Sequence, residues 1–216
     1  MEFWHLIGRG VEKRDIVTDK HDRLRFIHNL YALNDRNTTP NYILNERRED
    51  HAREQLVDIH SYCLMKNHYH LLVTERIENG ISLFMQKINM GYTKYFNNRH
   101  KRSGALWQGK YRKVQIKRDA HFLYIPFYIH LNPLDYVHPE WRAGEVRNTK
   151  KALEALLDYR WSSHLDYLGV RNFPSIIRTD VLNPMLGTRS EYERTIVEVI
   201  HDPSLAQESD YLEYKS

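Results

Sequence analysis

A chain of 216 residues, 41% hydrophobic and 28% charged, is long enough for one domain with a full core. No stretch reaches the roughly 18 apolar residues of a membrane span, and the opening Met1 to His5 lacks the apolar run of a secretory signal. Cys63 is the single cysteine, so an internal disulfide is excluded, and these features together point to the cytoplasm.

The formal net charge of +4 is unevenly spread. Between Met85 and Arg118 there are ten Lys or Arg and no Asp or Glu, whereas Glu191 to Ser216 holds seven acids and two bases. In the basic block, cations alternate with Tyr92, Tyr95, Phe96, Trp107 and Tyr111. That mixture suits nucleic acid, because cations neutralise phosphates and rings stack on unpaired bases. The candidate contacts are Lys87, Lys94, Arg99, Arg102, Trp107, Lys110, Tyr111, Arg112 and Lys113. The alternative is a solvated helix face followed by a basic strand.

Phe3 to Ile7 reads as a strand stopped at Gly8-Arg-Gly10. Leu24, Ile27, Leu30 and Tyr31 keep a 3.6 period and predict a helix over 20–34. The polar stretch 34–54 predicts a loop with room for a short helix. A second strand is expected over 55–64, a turn at Met65-Lys66-Asn67, and a third strand beginning at His68. Asn79-Gly80 breaks the chain. A helix follows over 81–98, with Ile81, Phe84, Met85, Ile88, Tyr92, Tyr95 and Phe96 on one stripe. After a basic loop, 110–117 alternates as a fourth strand. Asp119 is a suitable N-cap for a helix over 121–132, ended by Pro133. Pro126 lies inside it and demands either a place in the first turns or a kink. The order is β-α-β-β-α-β plus an additional tyrosine-bearing helix, which predicts an α+β, ferredoxin-like antiparallel sheet. Beyond Asp135 the signal weakens. A short helix is expected over 151–157 and another after Trp161-Ser-Ser-His164, while residues after Val170 read as a loosely packed or partner-binding extension.

Within Asn67-His-Tyr-His-Leu-Leu-Val73, His68 and His70 flank one residue. Side chains two apart on a strand share a face, so these imidazoles project together, as two ligands of one metal ion would. Tyr128 and Asn132 share a helix face at i, i+4. Asn132 either offers a carbonyl oxygen to Mg²⁺ or Mn²⁺ or simply ends its helix. Tyr128 is the candidate nucleophile, activated by a nearby cation. Tyr124, one turn earlier, is the rival; Tyr128 is preferred because a ligand follows it by four residues. His130 points away from that face and is structural or a DNA contact. Cys63 reads as a small core residue.

Four stretches occur in the order that resembles the REP-associated tyrosine transposases, which are single-tyrosine HUH transposases of the IS200-like type. They are Asn67 to Val73, Gly104-Ala-Leu-Trp-Gln-Gly-Lys-Tyr111, Tyr128-Ile-His-Leu-Asn-Pro133 and Trp161-Ser-Ser-His-Leu-Asp-Tyr-Leu-Gly169. The opening Trp4 to Gly10 resembles the family's first strand. The resemblance spans about residues 3–170. It implies a catalytic domain over 1–135, a C-terminal part of the family domain over 136–170, and an extension of unassigned role over 171–216. It further implies an enzyme that nicks and rejoins single-stranded DNA near hairpins. Tyr128 would form a 5′-phosphotyrosine, and His68, His70 and Asn132 would hold a divalent ion. It leaves monomer and homodimer open, and with them a tyrosine acting in cis or in trans. Lys66 stands where the family often has proline. Leu-Asp-Tyr136 replaces a small basic run after Pro133, and 142–158 reads as an insertion. A domesticated hairpin-binding protein is the second expectation. An RNA-binding domain of RRM type lacks its aromatic strand motif here, and a water-using metal hydrolase would not need Tyr128.

Overall fold

The computed structural model describes residues 1–38 and 53–202. Most of the expected 34–54 loop and the acidic end of the tail lie outside the described residues. The chain runs β1 (Phe3–Arg9), α1 (Lys20–Ala32), β2 (Val57–Leu64), β3 (His68–Glu75), α2 (Gly80–Arg99), β4 (Arg112–Ile116) and α3 (Asp119–Leu131). The strands form one sheet in the order β2-β3-β1-β4, with every pairing antiparallel. This is the ferredoxin-like arrangement, with β3 inserted between the two strands that α1 connects.

β1 does not stop at Gly8. It continues to Arg9, which lies opposite His68. A side chain at Gly8 would collide with the Tyr69 ring, so the glycine there makes room for Tyr69 instead of ending the strand. α1 begins at Asp19, whose carboxylate accepts the Asp22 N–H at 3.0 Å. α2 follows Asn79, which takes a left-handed φ of 58° that asparagine tolerates.

The register assigns each residue to a face. His5 pairs with Leu72 and Ile7 with His70, so His5, His70 and Leu72 share one side of the sheet, with His68 two residues from His70. Leu6, Tyr69, Leu71 and Val73 share the other side, where they pack with Phe26, Ile27 and Leu30 of α1 and Phe84, Met85, Ile88 and Tyr92 of α2. A bulge between Ile59 and Ser61 turns both His60 and Ser61 toward the histidine side: His60 meets Thr74 Oγ1 at 2.9 Å and Ser61 meets His130 Nε2 at 3.0 Å.

That second side is covered by α3 and by the elements after it: short 3₁₀ turns at Asn132–Tyr136 and Pro139–Ala143, α4 (Thr149–Asp158), α5 (His164–Tyr167), α6 (Asn183–Leu186) and α7 (Arg189–His201), while Trp161, Phe173 and Ile176 pack on the α1 side. The N-cap of α3 is Arg118, without a side-chain bond, and Asp119 is its first helical residue, contrary to the expectation above. Pro126 lies in mid-helix, leaving the Phe122 carbonyl without its helical donor. The insertion contributes α4, with Ala152 and Leu156 buried. The residues after Val170 do not pack loosely. α7 starts with a capping box between Thr188 and Glu191 and buries Tyr192, Ile196, Val199 and Ile200 against the α3 layer. The Trp161–Ser163 stretch straps the free edge of β2: Leu64 N donates to Trp161 O, Ser163 N donates to Tyr62 O, and Tyr62 N donates to Ser163 Oγ at 2.9 Å. No helix of the described residues is long and apolar enough to cross a membrane.

Candidate active site

Strand periodicity delivers His68 and His70 to the α3 side of the sheet, with ring centroids 4.9 Å apart. His70 is 3% exposed and His68 stands partly open to solvent. Their hydrogen bonds fix how each ring presents itself. Asn67 donates from Nδ2 to the Lys13 carbonyl, which turns its Oδ1 toward His68 Nδ1 at 2.7 Å. A carbonyl oxygen only accepts, so His68 carries its proton on Nδ1 and leaves Nε2 as a bare lone pair. His70 Nδ1 lies 2.9 Å from His5 Nε2, and the two rings stack at 5.1 Å. His70 Nε2 is buried with no partner among the described residues. Burial holds all three rings neutral: His5 falls to about 3, His68 to about 4, and His70 well below its ordinary value, with Arg112, Arg9 and Arg142 adding repulsion. Neutral imidazoles with an unused nitrogen are the form that ligates a divalent cation.

α3 brings Tyr128 onto this pair. Its ring meets that of His70 edge-on at 5.6 Å and that of His5 at 6.1 Å. Tyr124 lies one turn back, with its ring 6.1 Å from that of Tyr128, so the helix presents Tyr128 to the histidines. Nucleophile candidate and histidines belong to one chain, a cis arrangement. Asn132 is fully buried: its Nδ2 donates to the Tyr128 carbonyl at 2.7 Å, and its Oδ1 accepts from Arg142 at 3.2 Å. The oxygen expected to ligate therefore faces a guanidinium. Arg142 is in turn held by Asp135 at 2.7 Å and lies over the rings of Tyr128, at 5.6 Å, and Trp141, at 4.6 Å. Among the described residues no group of three or more His, Cys, Asp or Glu could by itself hold a metal ion. Two bare imidazole nitrogens fit one, and a third protein ligand requires Asn132 to part from Arg142.

Three of these residues escaped the sequence reading. His5 meets His70 only across the sheet, Arg9 reaches the site through its register with His68, and Arg142 comes from the apparent insertion. His130 is wholly structural: Nε2 lies 2.7 Å from Ser163 Oγ, Nδ1 lies 2.8 Å from the Tyr192 hydroxyl, and that hydroxyl also meets His164 Nδ1 at 2.8 Å. Cys63 is buried, as a core residue would be.

The basic block divides. Lys87 is not available to DNA: it is 7% exposed, and its ammonium donates to the carbonyls of Asp35, Arg36 and Thr38. Arg99 is committed to Asp19, at 2.7 Å, and to Asp22. Trp107 packs on Tyr69 and Phe26 and donates to the Asn89 carbonyl at 3.2 Å. Arg102 bonds within its own loop, to Asn97 and to the Ala105 carbonyl. Lys94, Lys110 and Lys113 remain exposed, Lys113 over the Trp4 ring, while Tyr111 and Arg112 are half-buried.

Residues 27–132 match the family model described as transposase IS200 like. The fold is similar to a solved structure of a REP-associated tyrosine transposase bound to a REP hairpin, at 13% identity and a TM-score of 0.47, over 84% of this chain and 88% of that one. No curated protein matches the chain. From within α1 to Asn132, over residues 27–132, the chain is similar to the IS200-like transposases.

Proposed function

We propose that this protein is a REP-associated type of transposase that cuts and rejoins single-stranded DNA beside hairpins. The observation that carries the reading is Tyr128 set edge-on against His70 at 5.6 Å within one chain. The Tyr128 oxygen attacks a backbone phosphorus and gives up its proton. The bond from phosphorus to the 3′ oxygen breaks, and that oxygen leaves as a 3′-hydroxyl. The 5′-phosphotyrosine keeps the phosphodiester energy, so a 3′-hydroxyl on the same or another strand reverses the step and completes strand transfer. His68 and His70 would hold a divalent ion, Mg²⁺ or Mn²⁺, with Asn132 as the third ligand once Arg142 turns aside. Bound there, such an ion lowers the cost of the phenolate and of the charge on the phosphate. Arg9 and Arg142, close enough to depress the histidines, supply positive charge for the phosphate oxygens. Lys110 and Lys113 are exposed cations of the basic block suited to the DNA backbone. The single cysteine supports a cytoplasmic setting.

A second reading has its own observation. Arg142 on the Asn132 oxygen resembles a site in which a fixed guanidinium has replaced the metal, as in a domesticated hairpin-binding protein. One experiment separates the two. The protein is incubated with 3′-labelled single-stranded hairpin DNA from the flanks of its own gene, with Mg²⁺ or Mn²⁺, beside Tyr128→Phe. Label migrating with the protein on a denaturing gel, and only with Tyr128 intact, is the expected result. Retarded DNA without an adduct in either metal would overturn the transposase chemistry and leave the binding protein.

A further inference from the structure

A row of rings and cations runs away from the histidine hairpin, beginning at Lys66. Lys66 immediately precedes Asn67, and its ammonium lies 5.7 Å over the Tyr136 ring, which is 43% exposed. The Tyr136 hydroxyl accepts the Lys66 N–H, and its ring stands 6.2 Å from that of Tyr159. Arg23 donates to the Tyr159 hydroxyl at 3.1 Å and lies 5.5 Å over Trp161. Arg160 covers both Trp161, at 5.6 Å, and Phe173, at 4.8 Å, and those two rings are stacked. Beyond Phe173 an open cleft of about 530 Å³, lined by Leu24, Ile27, Tyr31 and Pro174 among others, separates α1 from residues 172–176.

Several arginines elsewhere in the described residues answer carboxylates: Arg76 and Arg178 share Asp58, Arg99 holds Asp19 and Asp22, and Arg142 holds Asp135. Arg23 and Arg160 lie on rings instead. Three aromatic rings that are partly open to solvent, Tyr159, Trp161 and Phe173, follow the exposed Tyr136, with Lys66, Arg23 and Arg160 between them. A protein core does not require cations at those places. A single nucleic-acid strand does, because bases stack on rings while phosphates seek the cations.

We propose that this row is a track for the single-stranded DNA that flanks the hairpin, leading from the histidine hairpin at Lys66 through Tyr136, Tyr159 and Trp161 to Phe173. The inference rests on the single-stranded DNA reading above. It adds a surface distinct from the exposed lysines around β4, and it assigns base stacking, which those lysines cannot supply, to the C-terminal half of the chain. Duplex DNA cannot use it, since paired bases hide their faces, so the track selects unpaired flanks.

The test measures binding of three labelled probes by fluorescence anisotropy: a short oligo-thymidylate, a bare hairpin, and the same hairpin with a single-stranded flank. The protein is compared with the double variant Arg23→Gln/Arg160→Ser, whose sites are partly or fully exposed, and Trp161 emission is assigned with Trp161→Phe. The flank should raise hairpin affinity roughly tenfold, about 1.4 kcal/mol, and the double variant should lose that gain while binding the bare hairpin as before. Oligo-thymidylate should quench Trp161 and should lose roughly tenfold in the double variant. A flank that adds nothing, or a double variant that weakens bare hairpin and flanked hairpin alike, overturns the track. The adduct assay reports separately on the proposed function: an adduct with no flank effect sinks only the track, and a flank effect with no adduct sinks only the chemistry.

Discussion

Against α1 and α2 the sheet lays Leu6, Tyr69, Leu71 and Val73; against α3 the same strands lay His5, His60, His68 and His70. The first face is filled by size and shape. Some of its polar atoms find backbone acceptors, as where Tyr92 donates to the Ile16 carbonyl at 2.7 Å. The second face has its own apolar cluster and sets imidazoles within it, to which α3 adds His130 and α5 adds His164, all depressed by burial. From one residue to the next along a strand, one side chain stabilises by leaving water and its neighbour is kept uncharged by the same burial. One layer can therefore hold the fold while the other holds neutral nitrogen donors ready for chemistry.

The largest test of that division is acid. A histidine depressed in the folded state binds its proton more readily when unfolded, so stability is intact above pH 6.5 and is lost as pH falls below it. At pH 5.5 each fully buried imidazole costs about 1.4 kcal/mol. All six are depressed in the same direction, so their penalties accumulate as the pH falls. We expect metal-free protein, with chelator present, to unfold between pH 6.5 and 4 in near-ultraviolet circular dichroism. Near-native signal at pH 4 would break the comparison. A smaller cut compares two tyrosines. Tyr192→Phe strips His130 and His164 of a shared hydroxyl and should cost about 2–3 kcal/mol in urea unfolding; Tyr92→Phe frees one carbonyl and should cost about 1 kcal/mol. Equal losses would mean the polar face is no more demanding than the apolar one.

Within the basic block the same contrast separates buried cations from exposed ones. Lys87→Ala removes the donor to three carbonyls and should lower the melting temperature while leaving the salt dependence of DNA binding unchanged. Lys110→Ala with Lys113→Ala should leave melting unchanged and reduce the slope of log K against log salt by about 1–2. A reversal of those outcomes would return Lys87 to the DNA surface.

The legible parts of the molecule were those written in local periods. The alternation around Tyr69 predicted two histidines on one face, and the i, i+4 spacing of Tyr128 and Asn132 predicted one helix face; both are period arguments that need no partner. The amphipathic stripe of α2 was visible for the same reason, but periodicity could not show that Lys87 turns inward, because its acceptors lie some fifty residues away. His5 was unreadable alone: its meaning comes from His70, 65 positions distant and adjacent only through β-pairing. Arg142 lay in a stretch that read as an insertion, and nothing local ties it to Asn132. α7 has a capping box and an apolar stripe, yet its burial depends on α3 offering Phe127 to Tyr192, a contact only the folded chain creates. Gly8 misled because a glycine that admits a neighbouring ring and a glycine that ends a strand look alike in sequence.

The smallest expected effect lies where the two layers meet. Asp166 of α5 is buried enough that its carboxyl rises to about 6, and one of its oxygens has no partner among the described residues. A carboxyl raised in the folded state keeps its proton there after the unfolded chain has released it. Stability is therefore full below about pH 4 for this group alone and declines as pH climbs through 6. A shift of about two units bounds the loss at about 3 kcal/mol, and backbone donors from Phe173 and Asn172 already offset part of the burial. Asp166→Asn keeps an acceptor for those donors and removes the charge. It should raise the melting temperature by about 2–5 °C at pH 8 and by about half as much at pH 5. A stabilisation of the same size at both pH values would show that the substitution acts through packing, and that the layers meet without an electrostatic cost.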